Sequence, residues 1–254
     1  MKTSAFSLEG ALSVSAALKA GRRQVFEVLI DKNKRFDQRL DEVRLRAKQA
    51  AVKLKYVPST EIEEYATGNS HGGVIALAGE RQFECINDLL PPDTPAFVAM
   101  LDGIEDPYNF GFALRALYAA GADGLVLRER NWTSASAIVG RSSAGASEMM
   151  PIALVESALE AANFFRQRGL VVATAAKSST SLSLFEAELT RPVFVVFGGE
   201  RRGVTRSFQR GADLLLEIPY GRPFGQSLGT VSAVAILAYE VMRQRRHAGR
   251  GAGA

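Results

Sequence analysis

The sequence predicts an α/β protein in two parts: a small α/β domain over residues 1–90, then a larger parallel-sheet α/β domain over 97–246. Three observations carry that prediction. Short apolar runs alternate with helix-period segments along most of the chain, the pattern of a sheet covered on both faces. The stretch "NDLLPPDTPAF", with Pro91, Pro92 and Pro95, interrupts the alternation and predicts a linker over 91–96. At 254 residues, 47% hydrophobic and 23% charged, the chain can build one large core or two modest ones.

Before the linker, a short helix is expected around Ser13–Gly21, then a strand in "VFEVLI" at 25–30. The stretch "RFDQRLDEVRLRAKQAAV" sets Phe36, Leu40, Val43 and Ala47 at helical spacing, with charges on the other face. A strand "LKYV", a helix near "STEIEEYATG" and a strand "GVIALAG" complete the domain. Ser59 is the expected cap of that helix, with Glu61, Glu63 and Glu64 in its first turns; Ile62 stands where a full capping box would have an acid or amide. His71 reads as a turn residue ahead of the last strand.

After the linker, strands are expected in "AFVAML", "GLVLRE", "IALV", "LVVATAA", "VFVVFGG" and "LLLEIPY". Helices are expected near 109–120, 134–147, 156–168, 182–189, 204–210 and 227–246, and the Gly/Ala-rich tail 247–254 is expected to be disordered. Ligands of such sheets sit beyond the carboxyl ends of the strands. The glycine-rich segments "LDGIEDPYN", "FGGERRG" and "IPYGRPFGQS" fall there.

Composition narrows the function. No apolar run is long enough to cross a bilayer, and Glu9 interrupts the start "MKTSAFSLEGALSVSAALKAGRR", which lacks a signal-peptide pattern; the cytoplasm is the expected location. The single Cys85 excludes an internal disulfide framework, and with two histidines no Cys/His metal site is expected. Asn131-Trp132-Thr133 matches a glycosylation triplet that has no consequence without secretion. The net charge of +4 and pI near 9.3 are mild. Local basic groups occur at Arg22-Arg23, Lys53 with Lys55, Arg201-Arg202 with Arg206 and Arg210, and Arg243 with Arg245-Arg246. Each alone reads as a solvated face; together they are compatible with a phosphate backbone. No aromatic pair before the linker stands out as a platform for stacked bases. No G-x-G-x-x-G lies between a strand and a helix, no P-loop or G-x-S-x-G elbow occurs, and His71 and His247 cannot complete a catalytic triad.

One residue is conspicuous. "DPYNFGFALRALYAAG" reads as a buried helix carrying a single charge, Arg115. A lone guanidinium in apolar surroundings costs on the order of several kcal/mol unless it is paired or employed. A structural ion pair with Glu200 is the ordinary reading, as N-capping is for Asn109 and turn formation for the glycines at 198, 199, 203, 221, 225 and 229.

Taken in order, "DPYNFGFALR", "VFGGERRGV" and "EIPYGRPFGQSLGTVSAVAILAYE" resemble the three motifs of the SpoU (TrmH) branch of the SPOUT superfamily. Asp106, Pro107, Asn109, Gly111 and Arg115 match the first motif; Gly198, Gly199, Glu200 and Gly203 the second; Ile218, Pro219, Ser227 and Leu228 the third. "RSSAGASEMMPI" is similar to the Ser-x-Gly-Ala segment that family carries between the first two. The region before the linker resembles the family's substrate-binding domain, itself similar to small ribosomal RNA-binding proteins, so nearly the whole chain is covered.

The resemblance implies an S-adenosylmethionine-dependent enzyme that methylates a ribose 2′-hydroxyl of rRNA or tRNA, with a deep trefoil knot in its second domain. It implies a homodimer, an expectation that the apolar final helix "SLGTVSAVAILAYEVM" shares, because a helix apolar nearly all round is buried on more than one side. The cofactor would be held by Phe197, Gly198, Gly199, Glu200, Gly203, Ile218, Pro219, Ser227, Leu228 and Thr230. In the implied chemistry Arg115 holds the adjacent phosphate and stabilises the developing alkoxide; a guanidinium keeps its proton up to a pH of roughly 12 and is a poor base. Asn109 would fix the arginine and the ribose, Glu200 would orient the guanidinium, and Ser227 would bond substrate or cofactor. The third motif departs from the family's Ser-Leu-Asn: Gly229 replaces the asparagine and Val231 a later serine, unless one extra residue brings Ser232 into that place. Thr230 offers a substitute hydroxyl. Two other readings stay open, an RNA-binding protein of the same fold without methyl transfer, and methylation of a base nitrogen.

Overall fold

The computed structural model describes residues 6–129, 136–200 and 203–251; the Asn131-Trp132-Thr133 triplet, Arg201-Arg202 and the start of the helix expected over 134–147 lie outside them. The chain divides into two compact units, Met1–Phe83 with Asn131–Met149, and Glu84–Arg130 with Met150–Ala254.

In the first unit, strands β1 (Phe6–Glu9), β2 (Val25–Asp31), β3 (Lys53–Val57) and β4 (Val74–Ala78) form a sheet in the order β1-β4-β2-β3. β3 runs parallel to β2, and β4 antiparallel to β1 and β2. The four-residue β1 is an element the sequence pattern did not reveal. Helices α1 (Ala11–Ala20) and α2 (Gln38–Gln49) cover one face through a core of Leu8, Val14, Val28, Ile30, Leu40 and Val43. Helix α3 (Ser59–Tyr65) covers the other through Ile62, against Leu29, Val57 and Ile75.

Two local expectations change. Asp37 takes the N-cap of α2, its Oδ1 accepting the Leu40 N–H at 2.8 Å, so the helix begins after Phe36. Phe36 is therefore not on the core face with Leu40, Val43 and Ala47; it is 65% exposed. Ser59 is the first helical residue of α3 rather than its cap, and its hydroxyl donates to Asp31 Oδ2 at 2.7 Å.

The same unit holds α5 (Ser136–Ser142) and α6 (Ala146–Met149), where one helix was expected. Ala144 and Gly145 both take positive φ, which ends α5, and a Cβ on Gly145 would lie 2.8 Å from the Leu12 carbonyl of α1. Arg23 is buried here and bonds Glu148 through Nε at 2.8 Å and Nη2 at 3.0 Å. It is not the solvated cation its neighbour Arg22 suggested.

The second unit is a seven-stranded sheet in which every pairing is parallel. Its strands are β5 (Phe97–Asp102), β6 (Gly124–Arg128), β7 (Ile152–Val155), β8 (Val171–Ala175), β9 (Leu182–Ser183), β10 (Val193–Gly198) and β11 (Leu214–Glu217), in the order β7-β6-β5-β10-β8-β11-β9. Helices α4 (Pro107–Ala119), α7 (Ala158–Arg166), α8 (Arg206–Gly211) and α9 (Thr230–Gly251) complete it. The strands are apolar at nearly every position, as a sheet buried on both faces requires, and Val98, Met100, Val126, Phe165, Phe194 and Val196 belong to one core.

The segment 182–189, expected to be helical, is instead the short β9 followed by turns. Its serines bond locally: Ser181 donates to the Ala176 carbonyl at 2.8 Å and Ser183 Oγ accepts the Phe185 N–H at 3.3 Å, bonds that compete with a helix. α9 continues through Gly251. Its Arg245 donates to the carbonyls of Pro95, Ala96 and Arg191 at 2.5, 2.9 and 3.0 Å, so this member of the C-terminal basic group is structural.

Candidate active site at the carboxyl edge of the parallel sheet

β5 and β10 are neighbours, paired from Val193↔Phe97 to Gly198↔Asp102, so the loops that leave them start side by side. After β5, Asp106 caps α4: its Oδ1 accepts the Asn109 N–H at 2.8 Å, and Pro107 supplies the preset φ of a first helical residue. The cap is thus Asp106, not Asn109. Asn109 is left free to donate its Nδ2 proton to Glu200 Oε1, a bond between residues 91 apart in the chain. First and second motifs meet through that contact.

The glycines of the second motif are more than turn formers. A Cβ on Gly199 would overlap the Gly103 carbonyl, and one on Gly198 would overlap the backbone of Gly203 and Val204. Gly203 has φ +58 and donates its N–H to the Gly199 carbonyl at 3.0 Å. The strand ends can approach this closely only without side chains.

Arg115 is placed differently from the sequence expectation. It is exposed, on the same strip of α4 as Tyr108, Phe112 and Tyr118, and it makes no hydrogen bond or ion pair with another described residue. At about 100° per residue it points roughly 120° around the helix from Asn109. The structural Arg115–Glu200 pair is absent, and Glu200 orients Asn109 instead. α9, which packs against α4, likewise exposes Ile236 and Tyr239.

The third loop, 218–229, leaves β11 and enters α9; its residues 221–229 are exposed, Ser227 included. Leu228 N–H donates to Tyr220 Oη at 3.0 Å and draws the two ends of the loop together. Beside it opens a cleft of about 620 Å³ lined by Phe185, Ile218, Pro219, Tyr220, Phe224, Leu228 and Ile236, with Gly221 and Arg222. That size suits a cofactor-sized ligand, and the aromatic and aliphatic walls suit a flat heterocycle. Of the residues expected to hold the cofactor, Ile218, Pro219 and Leu228 line this cleft. Phe197 is buried in β10; Gly198, Gly199, Glu200 and Gly203 form the neighbouring loop; Ser227 and Thr230 stand next to the lining without joining it. Phe185, Tyr220, Phe224 and Ile236 were not foreseen. Tyr220 and Phe224 carried a usable signal, as aromatics inside a glycine-rich loop, whereas Phe185 fell in a segment read as helix.

Gly229 accepts the Ala233 N–H through its carbonyl at 3.1 Å and stands just before the first residue of α9. The family's asparagine would therefore occupy a helix N-cap. An added Cβ there meets nothing within 4 Å and φ is not positive, so the backbone does not require glycine.

The model of the SpoU rRNA methylase family matches residues 96–239, and that of the RNA 2′-O ribose methyltransferase substrate-binding domain matches residues 7–84. The chain belongs to the SpoU rRNA methylase family. Among SpoU relatives, the 23S rRNA (guanosine-2′-O-)-methyltransferase RlmB of Coxiella burnetii is 30% identical over 94% of this chain and 96% of its own length. A crystal structure of an RNA 2′-O ribose methyltransferase is 26% identical, with a TM-score of 0.77 over 96% of this chain and 90% of that one. An AdoMet-bound rRNA methyltransferase from Sinorhizobium meliloti shares the fold, with a TM-score of 0.77 at 22% identity over 97% and 88% of the two chains.

Proposed function

We propose that this protein transfers a methyl group from S-adenosylmethionine to a ribose 2′-hydroxyl of RNA, with ribosomal RNA as the favoured substrate class. The observation that carries the reading is the Asn109–Glu200 hydrogen bond, which joins the first and second motifs at the ends of adjacent strands. The family membership and the RlmB relative support it. The cofactor supplies an electrophilic methyl group on a sulfonium. Ile218, Pro219 and Leu228 would hold it, with Tyr220 and Phe224 closing over the flat part.

Within this reading Glu200 fixes the Asn109 amide, which orients the ribose. Arg115 holds the neighbouring phosphate and stabilises the oxygen as its proton leaves. Arg115 lies on an exposed strip of α4 with Tyr108, Phe112 and Tyr118, and α9, which packs against α4, exposes Tyr239 and the cleft residue Ile236. A second copy seated on that strip would bury Tyr108, Phe112, Tyr118 and Tyr239 and bring its own Arg115 toward the partner's cleft. We therefore propose a cytoplasmic homodimer whose sites form between subunits, with the C-terminal segment threaded in a knot. Phe112→Lys is expected to give a monomer in analytical ultracentrifugation and to abolish methyl transfer; a native protein that is monomeric at every concentration would refute the shared site.

The test of the activity is transfer of labelled methyl from S-adenosylmethionine to total RNA from a strain lacking the gene, followed by mapping of the product. Ribose methylation is expected. Calorimetric titration that finds no cofactor binding would instead favour an RNA-binding protein, the reading that Gly229 raises. Arg115→Ala should bind cofactor normally and lose about 10²-fold or more in turnover.

A further inference from the structure

The first unit carries an arrangement that neither the core nor the methyl-transfer chemistry uses. Phe36 is 65% exposed and Tyr56 52% exposed, and between them lies Arg44 of α2. The Arg44 guanidinium carbon sits 4.1 Å from the Phe36 ring centre and 5.6 Å from that of Tyr56. Arg44 Nε donates to Tyr56 Oη at 2.8 Å, and Nη1 lies 3.8 Å from Asp41 Oδ1. One face of the Phe36 ring is thus backed by a guanidinium that is itself held on two further sides.

No structural role explains the ring. It precedes the Asp37 N-cap, the position from which a hydrophobic staple reaches the fourth helical residue, but that residue is Asp41. It lies outside the unit's hydrophobic core. The surroundings are strongly basic: residues 32–56 hold nine Lys and Arg against three Asp and Glu, a net +6, more than the +4 of the entire chain. Lys32, Arg35, Arg39, Lys48 and Lys53 among them are exposed.

We infer that Phe36, backed by Arg44 and fixed through Tyr56, is a stacking platform for an unpaired RNA base, set in a basic surface that holds the flanking phosphates. Exposed aromatic rings and guanidinium planes stack on bases that have been freed from a helix, while paired bases are unavailable to them. A ring whose partner is already fixed loses little freedom on binding. The inference rests on the reading of this protein as an RNA methyltransferase and adds what its first unit recognises: a loop or bulge rather than a continuous duplex.

The test uses the full-length protein and two RNA probes, a short hairpin with 2-aminopurine at one loop position and a duplex of the same length without a loop. Native protein is expected to prefer the hairpin and to change the 2-aminopurine fluorescence as the base stacks. Phe36→Ala should weaken hairpin binding by about ten-fold or more and remove the fluorescence change, while duplex binding is kept. Tyr56→Phe, which keeps the ring and loses the bond to Arg44, should show a smaller loss. Cofactor titration and thermal melting of each variant should match the native protein. Equal affinity of native protein for the two probes, or a loss in Phe36→Ala that is the same on both, overturns the platform. Neither result depends on turnover, so absent methyl transfer with a retained hairpin preference would refute the enzymatic reading and leave the platform standing.

Discussion

Asn109 could act toward Glu200 because Asp106 already caps the helix that both side chains might have served. A residue-scale prediction follows from that division of labour. Asn109→Ala and Glu200→Ala should each slow methyl transfer, on the order of 10²-fold for a misplaced substrate group, and the double variant should be little worse than either single one. Initial rates at saturating cofactor measure this, and additive losses would show that the two act separately. Gly199→Ala should lower stability by about 1–3 kcal/mol in urea, because its Cβ has no space beside the Gly103 carbonyl. Gly225→Ala, with nothing within 4 Å of the added carbon and no positive φ, should stay within about 0.5 kcal/mol of the native protein. Gly229→Asn should be tolerated and, by supplying a cap and an amide, should raise activity if that amide is what the third motif lacks. The order of these residues was legible in the sequence. Their contacts were not: Arg115 reads as a buried cation in a one-dimensional helix, yet the strip it occupies with Phe112 and Tyr118 is exposed.

Among the elements, the helices that read well were those whose apolar stripe packs on their own unit, such as α2 after Asp37 and α7 with its Ser157 cap. Those that read poorly were decided by single backbone positions. α5 and α6 part at Ala144 and Gly145, where φ is positive. The basic runs were the least legible, since charge spacing does not reveal a partner far away in the chain. Arg23 pairs with Glu148, 125 residues on, and Arg245 serves carbonyls near 95 and 191. Glu148→Ala would leave the Arg23 guanidinium buried without its carboxylate and should cost about 3–5 kcal/mol by chemical denaturation. Arg245→Ala, which strips donors from four backbone carbonyls and loosens the C-terminal half of α9, should cost about 2–3 kcal/mol.

At the scale of the molecule, the balance of perturbed carboxylates sets an acid limb. Bonds from Ser59 and the Asn33 amide hold Asp31 below the usual aspartate range, the Leu40 amide does so for Asp37, and Arg243 with Gln244 lowers Glu240. Each contributes stability that is complete above its unfolded value and is lost as pH falls through its lower folded one. Asp123 works in the opposite sense: burial raises it, only partly offset by the Phe97 amide and Arg245, so its contribution is present below the unfolded value and lost as pH rises. The urea midpoint should therefore fall below about pH 4.5. Asp123→Asn, which keeps an acceptor for the Phe97 N–H, should gain on the native protein at neutral pH and lose that advantage as pH falls toward the ordinary aspartate value. The sequence by itself determined the α/β class, six of the seven strands of the parallel sheet and the order of the three motifs, because periodicity, apolar runs and glycine spacing are local and survive in one dimension. Only the tertiary structure decided that Asn109 meets Glu200, that Arg23 is buried and Arg245 serves backbone carbonyls, and that Phe36 and Tyr56 flank Arg44. Such pairings depend on which strand ends and helix faces become neighbours when the cores close, and no local pattern encodes that.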